Sequence, residues 1–176
     1  MSTGMLETGD HDIARFWVDN PIQMLPAVPM TQEQFFEFCQ QNRKLRFERT
    51  ADGELIIMAP SGGESSSQNL SIAAQLYAWH RSVGIGKAFD SSTGFVLPNG
   101  ANRSPDASWI SPDQLNGLSK EQLKKFLPVS PFFLVELISP SDSFRKTQEK
   151  MEEYLANGTK LGWLIHPARK QVHVYR

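Results

Sequence analysis

Glu136 stands in the middle of Phe132-Phe133-Leu134-Val135-Glu136-Leu137-Ile138, an apolar run that otherwise reads as a buried strand. A carboxylate in such surroundings is costly unless it is paired or binds a metal. A second acid, Asp106, follows Ser104-Pro105 directly before the short run Ala107 to Ile110, and Lys150 lies on the helical stretch after the Glu136 strand. Two acids and a lysine are the minimal equipment for magnesium-dependent hydrolysis of a phosphodiester. That reaction needs a positive centre on the phosphate, a water made nucleophilic near neutral pH, and charge stabilisation as the leaving oxygen departs. Magnesium prefers oxygen ligands and keeps several waters, so one or two carboxylates can hold it. Asp106 and Glu136 can share an ion if their strands are neighbours. The Lys150 ammonium could orient the attacking water or offset charge on the phosphorane, and Tyr154 and Lys146 lie on the same helical face, four residues to either side.

Each residue also has a plain reading. Pro-Asp before a strand is ordinary turn chemistry, a buried glutamate can be one half of an ion pair, and an isolated lysine is usually solvated. The combination outweighs its parts.

The elements that must position these groups follow from local signals. Thr31-Gln32-Glu33-Gln34 fits a capping box, with Phe35, Phe36 and Phe38 as the apolar face of the helix it starts. Leu45 to Thr50 and Glu54 to Met58 flank Ala51-Asp52-Gly53 and predict a β-hairpin. Apolar residues from Leu70 to Trp79 recur at helical spacing and predict a long, well-buried helix that Gly84 and Gly86 end. Extended pieces around Ala88 to Asp90 and Gly94 to Leu97 follow, then the strand Ala107 to Ile110 and a short polar helix from Ser119 to Phe126. The Glu136 strand comes next. Ser139-Pro140-Ser141-Asp142 breaks it, a helix runs to Asn157-Gly158, and Leu161 to Ile165 and Gln171 to Tyr175 are the last strands. This order predicts an α/β fold, a mixed β-sheet flanked by helices. Residues 31–176 form a single domain in this reading. Residues 1–30, with Pro21, Pro26 and Pro29 and no sustained period, read as an irregular arm.

With 176 residues, 40% of them hydrophobic and 21% charged, the chain has the composition of one globular domain with a real core. A net charge of -1 means that any attraction for phosphate must come from local basic patches. Cys39 is the only cysteine, which excludes an intrachain disulfide and a multi-thiolate zinc site and fits a reducing cytoplasm. No apolar stretch is long enough to span a bilayer, and the N-terminus has no signal-like pattern.

The stretches RSPDASWI, FFLVELISPSDS, KMEEYLANG and LGWLIHP, in this order, resemble the Uma-two family of restriction-type endonucleases within the PD-(D/E)XK nuclease superfamily. The segments LRFERTADGELIIMAPSGGES and DSSTGFVLPNGA are similar to the family's N-terminal half, so the resemblance runs from about Thr31 to the end. It implies a restriction endonuclease-like core, nuclease activity on DNA with magnesium or manganese, and homodimers. Asp106 would be the first metal-binding acid and Glu136 the second. The superfamily's lysine normally stands two residues after that acid, where this chain has Ile138, and Lys150 would be its relocated equivalent. Glu48 would match an upstream glutamate that helps to hold metal or water. The chain departs from the pattern at His166, where members commonly have Asp. Members often continue beyond the point where this chain stops, Arg176, which implies a further closing element.

Weaker signals add little. Gly62-Gly63-Glu64 before a helix suggests phosphate binding, but no P-loop lysine follows. Asp10-His11-Asp12 is read as a solvated terminus rather than a metal cluster. His80, His166 and His173 lack ligand spacing and are expected to be satisfied surface or half-buried residues. Arg43, Lys44, Arg46 and Arg49 near the hairpin, and Arg145, Lys146 and Lys150 on the later helix, could flank a DNA backbone. The expectation is a magnesium- or manganese-dependent DNA endonuclease using Asp106, Glu136, Lys150 and Glu48. The alternatives are a nucleic-acid or protein binding module on the same fold with slow or no catalysis, and a phosphatase of small phosphoesters.

Overall fold

The structure, a computed structural model, describes residues 23–26 and 28–176. Most of the expected N-terminal arm, including Asp10-His11-Asp12, lies outside the described residues. Its last part is not wholly irregular, because Gln23–Met24 forms strand β1 against the hairpin.

Thr31 caps helix α1 (Gln32–Gln41), and its side chain and that of Gln34 exchange the two bonds of a capping box. The hairpin consists of β2 (Arg46–Arg49) and β3 (Leu55–Met58), paired from Arg46 opposite Met58 to Arg49 opposite Leu55. Its loop is longer than an Asp-Gly two-residue turn. Thr50 closes on Glu54 through backbone and hydroxyl bonds, and within the turn only Gly53 takes a positive φ, of 90°. Helix α2 (Gly63–Val83) ends on Gly84 in the left-handed conformation, and β4 (Lys87–Asp90) follows. This helix is not the well-buried one expected: of its residues only Leu76 is buried, and Leu70, Tyr77 and Trp79 are exposed, because it packs on the sheet through one face.

The expected mixed sheet flanked by helices is present, and the hairpin belongs to a sheet of its own. The hairpin joins β1, β5 (Phe95–Val96) and β6 (Asn102–Arg103) in an antiparallel sheet ordered β1-β3-β2-β6-β5. A second, mixed sheet is ordered β10-β9-β8-β7-β4, built from β7 (Ala107–Ile110), β8 (Phe133–Leu137), β9 (Leu161–His166) and β10 (Gln171–Tyr175). Only β8 and β9 pair in parallel, as expected for strands joined through helix α4 (Phe144–Ala156). Helix α3 (Pro112–Asn116) had not been anticipated, although Ser111-Pro112-Asp113-Gln114 carries both a capping box and a proline at the first helical position. The polar helix expected from Ser119 to Phe126 is only a 3-10 turn at Gln122–Lys124, which Ser119 and Gln122 cap reciprocally. Leu127 is drawn into an extended pairing with Gly94 and Val96, which stops the helix from continuing.

The centre of the mixed sheet, at β7 and β8, is buried on both faces, while Trp163, Val172 and Val174 of β9 and β10 are exposed. Leu76, Ile72 and Ala73 of α2 pack on Ala107, Trp109 and Val135 on one side. On the other, Met151 and Tyr154 of α4 pack with Leu134, Ile138 and Leu164, and with Phe95, Leu97 and Ala101 from the region of the antiparallel sheet. Because side chains alternate along a strand, Glu136 shares the α4 face with Leu134 and Ile138.

Gly86 joins α2 to this sheet with φ +65°, and a β-carbon there would meet the Ile110 carbonyl oxygen at 2.3 Å and the Trp109 ring at 2.5 Å. Gly86→Ala is expected to lower stability by about 2–4 kcal/mol, combining left-handed backbone strain with overpacking. Urea denaturation would measure it. A variant as stable as wild type would contradict this close approach.

Candidate active site

β7 and β8 are antiparallel neighbours with Ala107 opposite Val135. One residue beyond that pair, Asp106 lies level with Glu136. Pro105 and the preceding serine end the chain's approach before the ladder begins, so the Asp106 carboxylate is free to turn onto the neighbouring strand. Its Oδ2 accepts the backbone N–H of Leu137 at 2.8 Å, and its Oδ1 accepts the side-chain amide of Asn69, on α2, at 2.6 Å.

Helix α4 crosses the Glu136 face and delivers two side chains one turn apart. Lys150 Nζ lies 2.8 Å from Glu136 Oε1 and 2.8 Å from Glu48 Oε1, while the Tyr154 hydroxyl donates to Glu136 Oε1 at 3.2 Å. Glu48 comes from β2, in the other sheet. It also accepts the Ser104 backbone N–H at 2.9 Å and lies 3.2 Å from Arg103 Nη1. Arg103 in turn pairs through Nε with Glu153 at 2.6 Å. An ionic chain therefore runs Glu153–Arg103–Glu48–Lys150–Glu136 from one sheet to the other. Its members are largely shielded from solvent, Glu48 being 4% and Glu136 6% exposed.

Burial and charge pull these groups apart. Burial pushes the Glu136 carboxyl up to about 8, with Asp106 and Glu48 adding repulsion that Lys150 only partly offsets. Burial also raises Asp106, against the Leu137 N–H, Lys150 and Asn69. For Glu48 burial acts upward too, but Lys150 and Arg103 win and hold it below the ordinary carboxylate range. Burial disfavours the Lys150 ammonium, yet Glu136 and Glu48 more than compensate, so Lys150 stays protonated well above neutral pH.

Glu48, Asp106, Glu136 and Glu153, with Asp142 also acting on Asp106, outnumber the cations Arg103 and Lys150, so the cluster is net negative when all are ionised and favours a bound cation. Asp106 and Glu136 offer oxygen donors only, which suits magnesium or manganese better than zinc. Among the described residues no group of three or more His, Cys, Asp or Glu side chains is arranged to hold a metal. An ion here would accordingly rest on two carboxylates and its own waters, as magnesium commonly does.

The structure thus brings Asp106, Glu136, Lys150 and Glu48 together, although they are up to 102 residues apart. Ile138, at the superfamily's usual lysine position, is buried in the core. Tyr154 reaches the site and Lys146 stays exposed. Arg49 is not a surface contact: it is buried over the Phe35 ring and bonded to Asn102 and to the Met30 carbonyl. Arg43, Lys44 and Arg46 remain exposed, as does Arg145. His166 and His173 pack against Phe144, and His166 Nδ1 and His173 Nε2 are buried without a hydrogen-bond partner among the described residues, contrary to the expectation that these rings are satisfied. Sequence reasoning missed Asn69, Arg103 and Glu153. A polar residue on a largely exposed helix carries no local mark of such a role, but Asn102-Arg103, buried directly before Ser104-Pro105-Asp106, lay next to a motif already in view.

The fold is similar to that in the crystal structure of a "putative nuclease belonging to DUF820 from Anabaena variabilis ATCC 29413", with a TM-score of 0.65 and 21% identity. The match covers 84% of this chain and 80% of that one, a likeness of fold consistent with a restriction endonuclease-like architecture. No curated protein matches the sequence. Residues 32–176 match the sequence model of the Uma2 family, described as "Putative restriction endonuclease". Since that match spans the whole of the site and all four helices that frame it, the chain belongs to the Uma2 family.

Proposed function

We propose that the protein is a magnesium- or manganese-dependent endonuclease that hydrolyses DNA phosphodiesters. One observation carries this reading above the rest: Lys150 is held between Glu136 and Glu48, with Asp106 level with Glu136 on the adjacent strand. Asp106 and Glu136 would hold the cation, which when bound supplies positive charge at the phosphate and lowers the pKa of water. Lys150 is too firmly protonated to serve as a base. Its ammonium acts as a fixed donor that orients the attacking water and offsets charge on the phosphorane. Glu48, engaged by Lys150, Arg103 and Ser104, keeps that ammonium in place and reaches a cation only by giving up one of them. Tyr154 fixes the orientation of Glu136.

The exposed basic residues lie on the elements that supply the site, Arg46 at the start of β2 and Arg145 and Lys146 in the first turn of α4. They suit contact with a phosphate backbone. DNA as the substrate and a homodimer as the assembly come from the family and are part of the same proposal. Among the described residues no helix is long and apolar enough to cross a membrane.

Supercoiled plasmid incubated with magnesium, with manganese and with chelator tests the activity, beside RNA and p-nitrophenyl phosphate. Nicking of DNA that stops with chelator is expected. Turnover of p-nitrophenyl phosphate alone would point to a phosphatase, and DNA binding without cleavage or metal uptake to a binding module. The latter reading draws on the absence of a third metal-holding side chain among the described residues.

Proton linkage gives an independent check. The Glu136 carboxyl is raised to about 8, so it must lose a proton before it can ligate. Manganese affinity is expected to rise about tenfold per pH unit up to about pH 8, with close to one proton released per ion near pH 7. Calorimetry in buffers of different ionisation enthalpy would count it. In the absence of metal the sign for stability is the reverse. A raised folded pKa means that the contribution of Glu136 is lost as pH climbs from its ordinary 4.5 through about 8. Glu48, shifted down, contributes above its ordinary 4.5 and loses that contribution as pH falls through its lowered value. Affinity independent of pH between 6 and 8 would remove Glu136 from the ligand set.

A further inference from the structure

We infer that Asn69 of α2 is a positioning residue for the metal-binding carboxylate Asp106. The inference rests on the reading of Asp106 as a ligand. A carboxylate on a short loop has two torsions to fix, and here two donors fix them from different elements. The Leu137 N–H holds Oδ2, and the Asn69 amide, 37 residues away in sequence, holds Oδ1 at 2.6 Å. The Leu137 donor is a backbone N–H, fixed in place by its strand. The Asn69 bond is the one that a side chain supplies, and it is what ties α2 to the site.

Asn69 is half-buried on a helix whose neighbouring residues Ser66, Ser67 and Leu70 are exposed. A helix surface does not require asparagine, which is a poorer helix former than alanine. The short contact to a buried carboxylate explains the residue: by donating to the ionised form it favours that form, opposing the burial that raises Asp106. An amide rather than a lysine achieves this without adding a positive charge that would repel a cation. Outer partners of this kind, which orient a ligand without touching the metal, typically contribute ten- to a hundredfold to affinity.

The test is manganese binding by calorimetry, together with the manganese-induced rise in melting temperature, in wild type, Asn69→Ala, Asp106→Asn and the double variant. Asn69→Ala raises helix propensity and is expected to fold with a metal-free melting temperature close to that of wild type. Its manganese affinity is expected to fall about ten- to a hundredfold. Because Asn69 acts through Asp106, adding Asn69→Ala to Asp106→Asn should change affinity by less than about twofold, a non-additivity that a merely structural role would not produce. Affinity of Asn69→Ala within about twofold of wild type, or full additivity in the double variant, overturns the inference while leaving the metal site standing. Wild type that takes up no manganese removes the metal reading itself and this inference with it.

Discussion

Glu136→Gln is expected to reduce metal-dependent plasmid nicking by about a thousandfold or more, and to leave the metal-free protein at least as stable as wild type. The two outcomes have one cause. Glu136 sits in the core face of β8 with Leu134 and Ile138, and burial opposes its charge strongly enough to push its carboxyl up to about 8. Such a group is a liability to the fold and an asset to a site that must attract a divalent cation. Glutamine keeps the shape and can still accept from Tyr154 and Lys150, while removing the negative charge that would ligate the ion. Lys150 is not orphaned, because Glu48 remains 2.8 Å away. Activity follows from nicking rates with magnesium at saturating concentration, and stability from thermal melting in chelator. A variant that cleaves within tenfold of wild type would exclude Glu136 as a ligand. A variant that is inactive but also much less stable would show that the residue serves the fold, and the ion pair would then be structural.

How much of this was readable in the sequence depends on the range of the interaction. Glu136 announced itself because a carboxylate breaks an apolar run, and Asp106 because Ser-Pro-Asp marks the end of a turn, both signals confined to a few residues. Lys150 carried no local mark of its own; its place on the helix after the Glu136 strand made it a candidate, helical spacing linked it to Tyr154 and Lys146, and the family resemblance gave it a role. Asn69 and Arg103 act across 37 and 55 residues, on partners that no periodicity connects to them. The same limit explains the sheets. Apolar runs bounded by turn signals identify β2, β3, β7 and β8 as strands but say nothing of which edges meet, so the hairpin's membership of a separate antiparallel sheet emerges only with the pairing of Arg49 and Asn102. β5 lies within the extended piece read at Gly94 to Leu97, whereas β6, with two residues, is too short for any pattern. Helix α3, by contrast, has a readable start in Ser111-Pro112, a capping serine followed by a proline at the first helical position.

Glu48→Ala is expected to behave in the opposite way to Glu136→Gln, with a loss of stability of about 3–5 kcal/mol, the usual cost of removing one member of a buried ion pair. Both glutamates touch the same lysine, but their situations differ. Glu48 is held below the ordinary carboxylate range by Lys150 and Arg103 in spite of its burial, so its charge is needed by its neighbours. Without it, Lys150 must rely on Glu136, whose own carboxyl favours protonation at neutral pH, and Arg103 keeps only Glu153. The Ser104 N–H, which fixes the approach to Asp106, also loses its acceptor. Because Glu48 belongs to one sheet and Lys150 to a helix packed on the other, the damage should appear as a weakened union of the two sheets rather than a frayed hairpin. Urea denaturation would give the magnitude, and hydrogen exchange should show protection falling in β6 and α4 together. Removing Glu121 from its exposed pair with Lys124 provides the control, where no measurable change is expected. If Glu48→Ala proves as stable as wild type, the ionic chain does not hold the two sheets together, and the placement of Lys150 must come from the packing of α4 alone.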